Sequence, residues 1–352
     1  MKKKILALLL ACMMVAGLAA CSSGGGTQES NPPQDETQPV ETAQSGGGDN
    51  TAAPAGDGTK YTIGICQQDQ HPALDAATQG FKEALIEKLG EANVEFKEGN
   101  ASGDTANCST IINGFLSENV DLILANATGS LQAAHSATAD IPILGTSITD
   151  YATALELEDW SGTVGGNISG TSDLAPLDQQ AEMLHELFPD AQSVGLLYCS
   201  GEPNSVYQCD VIEGYLKDMG YSVSRFAFTD TNDVASVAQT ACDSSDVIYI
   251  PTDNTAAKNT EAIANVVLPA GVPVVAGEEG ICKGCGAVTL TISYYDIGYI
   301  AGEMACDILV NGADISTMAV KSAPEVVKKY NAANCEALNI TVPDGYEAVV
   351  MD

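Results

Sequence analysis

From Tyr61 onward, short runs of apolar and β-branched residues alternate with longer stretches whose apolar positions recur at helical spacing. The short runs predict strands at Tyr61–Cys66, Val94–Glu98, Leu122–Asn126, Pro142–Thr146, Ser193–Cys199, Ser222–Phe228, Val247–Ile250, Val272–Gly277 and Ala287–Ile292. Between them, amphipathic stretches predict helices at Ala73–Leu89, Thr105–Ser117, Pro176–Leu187, Ser205–Met219, Val234–Cys242, Ala256–Val267 and Tyr294–Val310. A strand–helix alternation of this kind specifies a parallel sheet with helices on both faces. The consecutive apolar residues Ile248-Tyr249-Ile250 and Pro273-Val274-Val275 fit strands buried on both sides.

The units fall into two halves. Strand–helix units run from Tyr61 to Thr146, and further strands run from Ser193 to Gly277. A polar, glycine-rich bridge, Gly165 to Asp173, lies between them. The Ala287–Ile292 strand and the Tyr294–Val310 helix are expected to return to the first half. The prediction is an α/β protein of two Rossmann-like lobes with parallel sheets. Residues 60–169 with 289–318 form lobe 1, and 170–288 with 319–352 form lobe 2. A chain of about 290 residues has enough interior for two cores.

Upstream, the pattern changes. Lys2, Lys3 and Lys4 precede an apolar run that closes on Leu18-Ala19-Ala20-Cys21. An apolar core this short, ending in small residues, reads as a secretory signal over residues 1–20. Cysteine directly after Leu-Ala-Ala reads as a lipoprotein box, with cleavage before Cys21 and acylation of it. The alternative is an ordinary signal peptide that contains a cysteine. After Cys21, residues 22–59 are mostly Gly, Ser, Thr, Gln, Pro and acid with almost no large apolar residue, a composition unable to offset its ordering entropy, so a disordered tether over 21–59 is expected.

Lysine and arginine number 14 against 47 aspartates and glutamates, a formal charge of −33. Such a surface repels phosphate backbones and excludes nucleic acid as a partner. Arg225 is the single arginine, so the bidentate clamps that usually hold carboxylates and phosphates are missing. Nine cysteines follow Cys21, an odd number. Cys282-Lys-Gly-Cys285 has the spacing of a local disulfide, while His71, His135 and His185 are scattered singly. No metal or cofactor is expected.

In open α/β sheets, ligands bind beyond the carboxyl ends of the strands. The residues there are polar. The first half offers Gln67, Ser102, Asn126 and Thr128, then Thr146, Ser147, Thr149 and Asp150. The second offers Asn204, Ser205, Thr252, Asp253, Asn254 and Glu278, with Tyr294 after the last strand. Taken singly, Ser, Asn and Asp in such places are helix N-caps. Together they set amides and helix N-termini around one space, which suits a ligand carboxylate. Asp150, Asp253 and Glu278 are the candidates to receive a ligand ammonium. Tyr151, Tyr294 and Tyr295 are candidates to flank an apolar portion.

Enzyme readings find no support. No Gly-x-Ser-x-Gly elbow, phosphate loop or Gly-x-Gly-x-x-Gly follows a strand. His71 precedes Pro72 and reads as a helix entry with proline in the first turn.

Several stretches carry a resemblance. Ile63-Gly64-Ile65-Cys66 with His71-Pro72-Ala73-Leu74-Asp75 is similar to the opening of an ABC-transporter substrate-binding lipoprotein family that includes tryptophan and tyrosine receptors. The bridge Gly165 to Asp173, Asn204-Ser205 with Gln208, Tyr249 to Asn254, Gly277-Glu278, and Tyr294-Tyr295 with Gly298 and Gly302 follow in the same order. The resemblance spans nearly all of Lys60 to Pro343. It implies a type I periplasmic-binding fold, with two lobes closing on a ligand about a multi-stranded hinge. Tyr151 stands where that pattern has proline, and Glu156 to Thr163 looks like added sequence.

The expectation is therefore a monomeric, membrane-anchored extracytoplasmic receptor, held through lipidated Cys21 and not an enzyme. It would capture a small polar ligand, an aromatic amino acid being favoured, and deliver it to an ABC permease. A sugar or nucleoside receptor of the same fold, or an extracellular sensor with a signalling partner, are the alternatives.

Overall fold

A computed structural model describes residues 58–351. The expected leader, Cys21 and nearly all of the expected tether lie outside the described residues.

Two sheets form the body. The first contains β1 (Tyr61–Gln67), β2 (Val94–Asn100), β3 (Leu122–Asn126), β4 (Ile143–Ile148), β5 (Ile168–Ser172) and β11 (Lys321–Ser322), in the order β11-β5-β4-β3-β1-β2. All of its pairings are parallel. The second contains β6 (Ser193–Cys199), β7 (Ser222–Phe228), β8 (Val247–Ile250), β9 (Val274–Ala276), β10 (Val288–Thr291), β12 (Val327–Tyr330) and β13 (Glu347–Ala348), in the order β13-β12-β10-β9-β8-β6-β7. It is parallel except where β12 runs against β10.

Alternation along the strands builds a core on each face, because successive side chains point to opposite sides. Leu122 and Leu124 of β3 join Ile63, Phe81 and Met304, whereas Ile123 and Ala125 join Ile112, Phe115 and Leu131. In the second sheet, Val247 and Tyr249 of β8 pack with Leu196 and Ile212, while Ile248 and Ile250 pack with Leu197 and Ile263. The two-lobe α/β architecture expected from the sequence is present.

The chain passes between the sheets three times, at 173–176, 292–293 and 323–326. These positions differ from the expected boundaries. The strand expected at Ala287–Ile292 does not return to the first sheet; β10 pairs with β9 and β12, and only the helix after it crosses back. The stretch read as a polar bridge contains β5, and β11 also belongs to the first sheet. β5 has a single large apolar residue, Ile168, so alternation could not reveal it. It is held by side chains instead: Ser169 Oγ donates to Met318 O at 2.9 Å, and Thr171 Oγ1 to Thr146 Oγ1 at 3.0 Å. Gly170, at φ +145°, lies so close to β4 that a Cβ there would fall 2.0 Å from Gly145 O.

The returning helix, α11 (Tyr294–Leu309), packs on α1 (Pro72–Leu89) at backbone contact. A Cβ on Gly80 would lie 2.1 Å from Tyr295 O, one on Gly298 1.9 Å from Ala77 O, and one on Gly302 2.7 Å from Phe81 O. Small residues on both faces permit this approach, which fixes where Tyr294 enters the first lobe.

The nine cysteines from Cys66 to Cys335 are free thiols, Cys282 and Cys285 included. Arg225 lies on β7 and pairs with Asp210 and Glu213 at the surface.

Candidate functional site

In both sheets the strand order reverses beside the first strand, at β1 between β2 and β3 and at β6 between β7 and β8. Crevices open at such switch points. Here the carboxyl ends of the two sheets face each other and touch. Thr149, beyond β4, lies 3.3 Å from Thr252, beyond β8, oxygen to oxygen. His71 Nε2 lies 3.1 Å from Asn254 Oδ1. Lys258 Nζ reaches Asp69 at 2.8 and 3.1 Å.

Behind these contacts is an enclosed chamber lined by His71, Leu74 and Ser147 of the first lobe, Asp173 and Tyr294 at the crossings, and Asn204, Thr252, Asp253, Asn254, Ala257 and Glu278 of the second. Its free volume, about 10 Å³, is about that needed by one water molecule. Among the described residues, no lysine or arginine lines it.

Each carboxylate is held by local structure. Asp173 begins the first crossing, and accepts from Tyr294 OH at 2.9 Å and Thr149 Oγ1 at 2.9 Å. Asp253 caps α8 (Asn254–Lys258) through Ala256 N at 2.8 Å and also accepts from Cys199 N at 2.6 Å. Glu278 caps α10 (Glu279–Gly284) through Gly280 N at 2.6 Å and Ile281 N at 2.5 Å. Burial raises the pKa of all three, Asp253 to about 8 with the charge of Glu202 adding to the effect. Two polar atoms of the lining have no partner at all, Ser147 Oγ and His71 Nδ1. Ser147 has φ +57° and sits where the β4–β5 register shifts between Gly145 and Ile148. A bulge at a strand end re-aims a side chain in this way.

Seven of the expected residues line the chamber: Ser147, Asn204, Thr252, Asp253, Asn254, Glu278 and Tyr294. Thr149 adjoins it through Asp173 and Thr252, and Ser205 lies behind, bonded by Asn204 Nδ2 at 3.3 Å. The others are occupied elsewhere. Gln67 Nε2 donates to Asp69 O and Asp75 Oδ1, both at 2.7 Å. Asn126 Nδ2 donates to Leu74 O and Thr78 Oγ1, both at 2.9 Å. Thr146 serves β5, Asp150 caps α4 (Tyr151–Leu155), and Thr128 is the buried first residue of α3 (Thr128–Ala137). Ser102 is exposed. Tyr151 is also displaced from the expected role, because it is a core residue whose OH donates to Thr171 O at 3.1 Å.

Four lining residues were not among the candidates, the apolar Leu74 and Ala257 and the polar His71 and Asp173. His71 stands among the polar residues after the first strand but was read as a helix entry, and Asp173 lay at the end of the glycine-rich bridge, where no strand was expected to end. The signal available for both was the resemblance, whose matched stretches contain them.

The family model for ABC transporter substrate binding proteins matches residues 62–349. The chain belongs to this family. A tyrosine-binding protein of Clostridioides difficile (strain R20291) is 33% identical over 280 residues, 79% of this chain and 81% of the relative. Among solved structures, an ABC domain from Streptococcus pneumoniae in complex with L-Trp superposes with a TM-score of 0.78 at 28% identity, covering 83% of this chain and all of that one. The ligand-free, open structure of a substrate-binding protein with adhesive properties from Clostridium difficile gives 0.65 at 33% identity, with 83% of this chain and all of that one covered. The lower score against the open form, despite its higher identity, agrees with the direct contacts between lobes. The type I periplasmic-binding fold expected from the resemblance is thus present in this substrate-binding protein.

Proposed function

We propose that this substrate-binding protein captures an aromatic amino acid between its lobes and delivers it to an ABC permease, from a lipid anchor at Cys21 on the outer side of the membrane. The observation that carries the ligand class is the buried acidic wall formed by Asp173, Asp253 and Glu278. An α-ammonium complements such a wall.

The same wall couples binding to closure. Burying three carboxylates against too little positive charge is costly, and the cost arises as the lobes come together. A ligand ammonium offsets it only in the closed state, and a ligand shifts a two-state hinge only through such differential contacts. Asp173 accepts the ammonium at the crossing, Glu278 and Asp253 set the potential around it, and Thr149 on Thr252 seals the edge. The small free volume requires the lining to rearrange around an aromatic side chain. The named ligands of the tyrosine-binding relative and of the tryptophan complex support the aromatic class. A sugar reading draws less support, since Trp160 stacks on Tyr151 at 6.2 Å, away from the chamber.

Thermal-shift screening of the purified protein against amino acids, sugars and nucleosides tests this reading. An amino acid well above its dissociation constant raises the melting temperature. Stabilisation by sugars or nucleosides alone contradicts it.

A further inference from the structure

Asn254 fixes the proton on His71. The Nδ2 of Asn254 donates to Glu202 Oε2 at 2.7 Å, a carboxylate that can only accept, so the amide oxygen faces His71. That oxygen also only accepts, and the 3.1 Å contact therefore places a hydrogen on His71 Nε2. Nδ1 is left as the working atom. It has no partner, its residue is 7% exposed and lines the chamber, and the partnerless Ser147 Oγ lines the same space.

An amino acid brings a carboxylate as well as an ammonium. The acidic wall repels that carboxylate, and His71 is the one basic side chain among the described residues of the lining. Lining the chamber with it are Asp173 from the first crossing, Glu278 capping α10, Asp253 capping α8, Asn254 and Tyr294 opening α8 and α11, and Ser147 from β4, with Asp69 two residues away held by Lys258. We infer that His71 is the carboxylate-reading residue of this receptor: as an imidazolium it donates Nδ1–H to the ligand carboxylate, with Ser147 Oγ as second donor, while Nε2–H holds Asn254 of the other lobe. The inference rests on the amino-acid reading above and adds the recognition of the ligand's acidic end. It makes capture proton-linked, because neutral imidazole with hydrogen on Nε2 presents a lone pair at Nδ1 and repels a carboxylate.

The test is isothermal titration calorimetry on the purified protein with L-tyrosine and L-tryptophan. It is repeated with tyramine and tryptamine, which keep the ring and ammonium but lack the carboxylate. Titrations run from pH 6 to pH 9 in buffers of different ionisation heat. For the amino acid that binds, affinity falls at least tenfold across this range. At the alkaline end, wild type takes up about one proton more than H71Q. Titration of Asp253 near pH 8 works in the opposite direction, favouring the ammonium as pH rises, so H71Q loses the fall or reverses it. The amines do not lose affinity in H71Q, and with the imidazolium gone from the chamber that holds Asp173 and Glu278 their ammonium binds as well or better. H71N serves as the second variant, with circular dichroism melting to verify the fold of each. Equal proton uptake in wild type and both variants, or an amine with the same histidine dependence as its amino acid, overturns the inference and leaves the amino-acid reading standing. Failure of every amino acid to bind wild type overturns both.

Discussion

The Tyr294 phenol donates to Asp173 Oδ2 at 2.9 Å, joining two of the three crossings between the lobes. With Thr149 Oγ1 on the other oxygen, a carboxylate raised in pKa by burial is held at the centre of the hinge. A hydrogen bond to a charged group contributes about 1.5–3 kcal/mol. We predict that D173N weakens amino-acid binding by roughly tenfold to a hundredfold in calorimetry. The melting temperature should stay level or rise, since removing a buried charge relieves its desolvation. Loss of folding in step with loss of binding would assign Asp173 to structure alone.

Much of this arrangement was legible in the sequence, for reasons that particular residues make plain. Leu122–Asn126, Ser193–Cys199, Ser222–Phe228 and Val247–Ile250 were expected as strands, and β3, β6, β7 and β8 have those bounds. Three of these are sharply bounded apolar runs, and Ser222–Phe228 is marked by Val223, Phe226 and Phe228. β5 was not legible, because Ser169 and Thr171 hold it by hydrogen bonds. The expected helix at Ala256–Val267 is two, with α8 ending before Asn259 and α9 (Thr260–Ala270) beginning after it.

The chamber was legible by half. Chemistry at strand ends was readable, but a cap and a ligand contact use the same residue types. Asp150 is a cap beside the chamber, whereas Asp253 and Glu278 are caps that also line it. Only the facing of the two sheets separates these cases.

The latch between Lys258 and Asp69 crosses from the second lobe to the first at 2.8 Å. Lys258 is 40% exposed at its side chain, so water and salt screen the pair. K258M should speed ligand release by a few-fold in stopped-flow measurements, corresponding to under about 1 kcal/mol. The difference from wild type should shrink in high salt. A salt-independent difference would contradict an electrostatic latch.

Asp253 makes stability fall with rising pH. Its carboxyl titrates near 8 in the fold, above the ordinary aspartate value, so the folded state binds the proton more tightly. That contribution is present below about pH 4 and lost as pH rises towards 8. Asp173 and Glu278 are shifted in the same direction. The melting temperature of the ligand-free protein should fall between pH 5 and pH 9, and fall less steeply in D253N. Carboxylates shifted downward, such as Asp233 and Asp246, act below this window and do not obscure it.

The α1–α11 interface tolerates no added methyl. G298A places a Cβ 1.9 Å from Ala77 O, and overpacking of this kind costs about 1–3 kcal/mol. Urea denaturation should show that loss. Amino-acid affinity should also weaken, because α11 positions Tyr294. G214A, on the open face of α6 (Pro203–Asp218) where a Cβ meets nothing within 4 Å, should be neutral or slightly stabilising.

Small-angle scattering of the purified protein, with and without saturating L-tyrosine or L-tryptophan, tests closure on an amino acid most directly. A fall in radius of gyration on ligand addition, absent in D173N, is the predicted result. No change with any amino acid in the wild-type protein, alongside no calorimetric heat, would contradict the account.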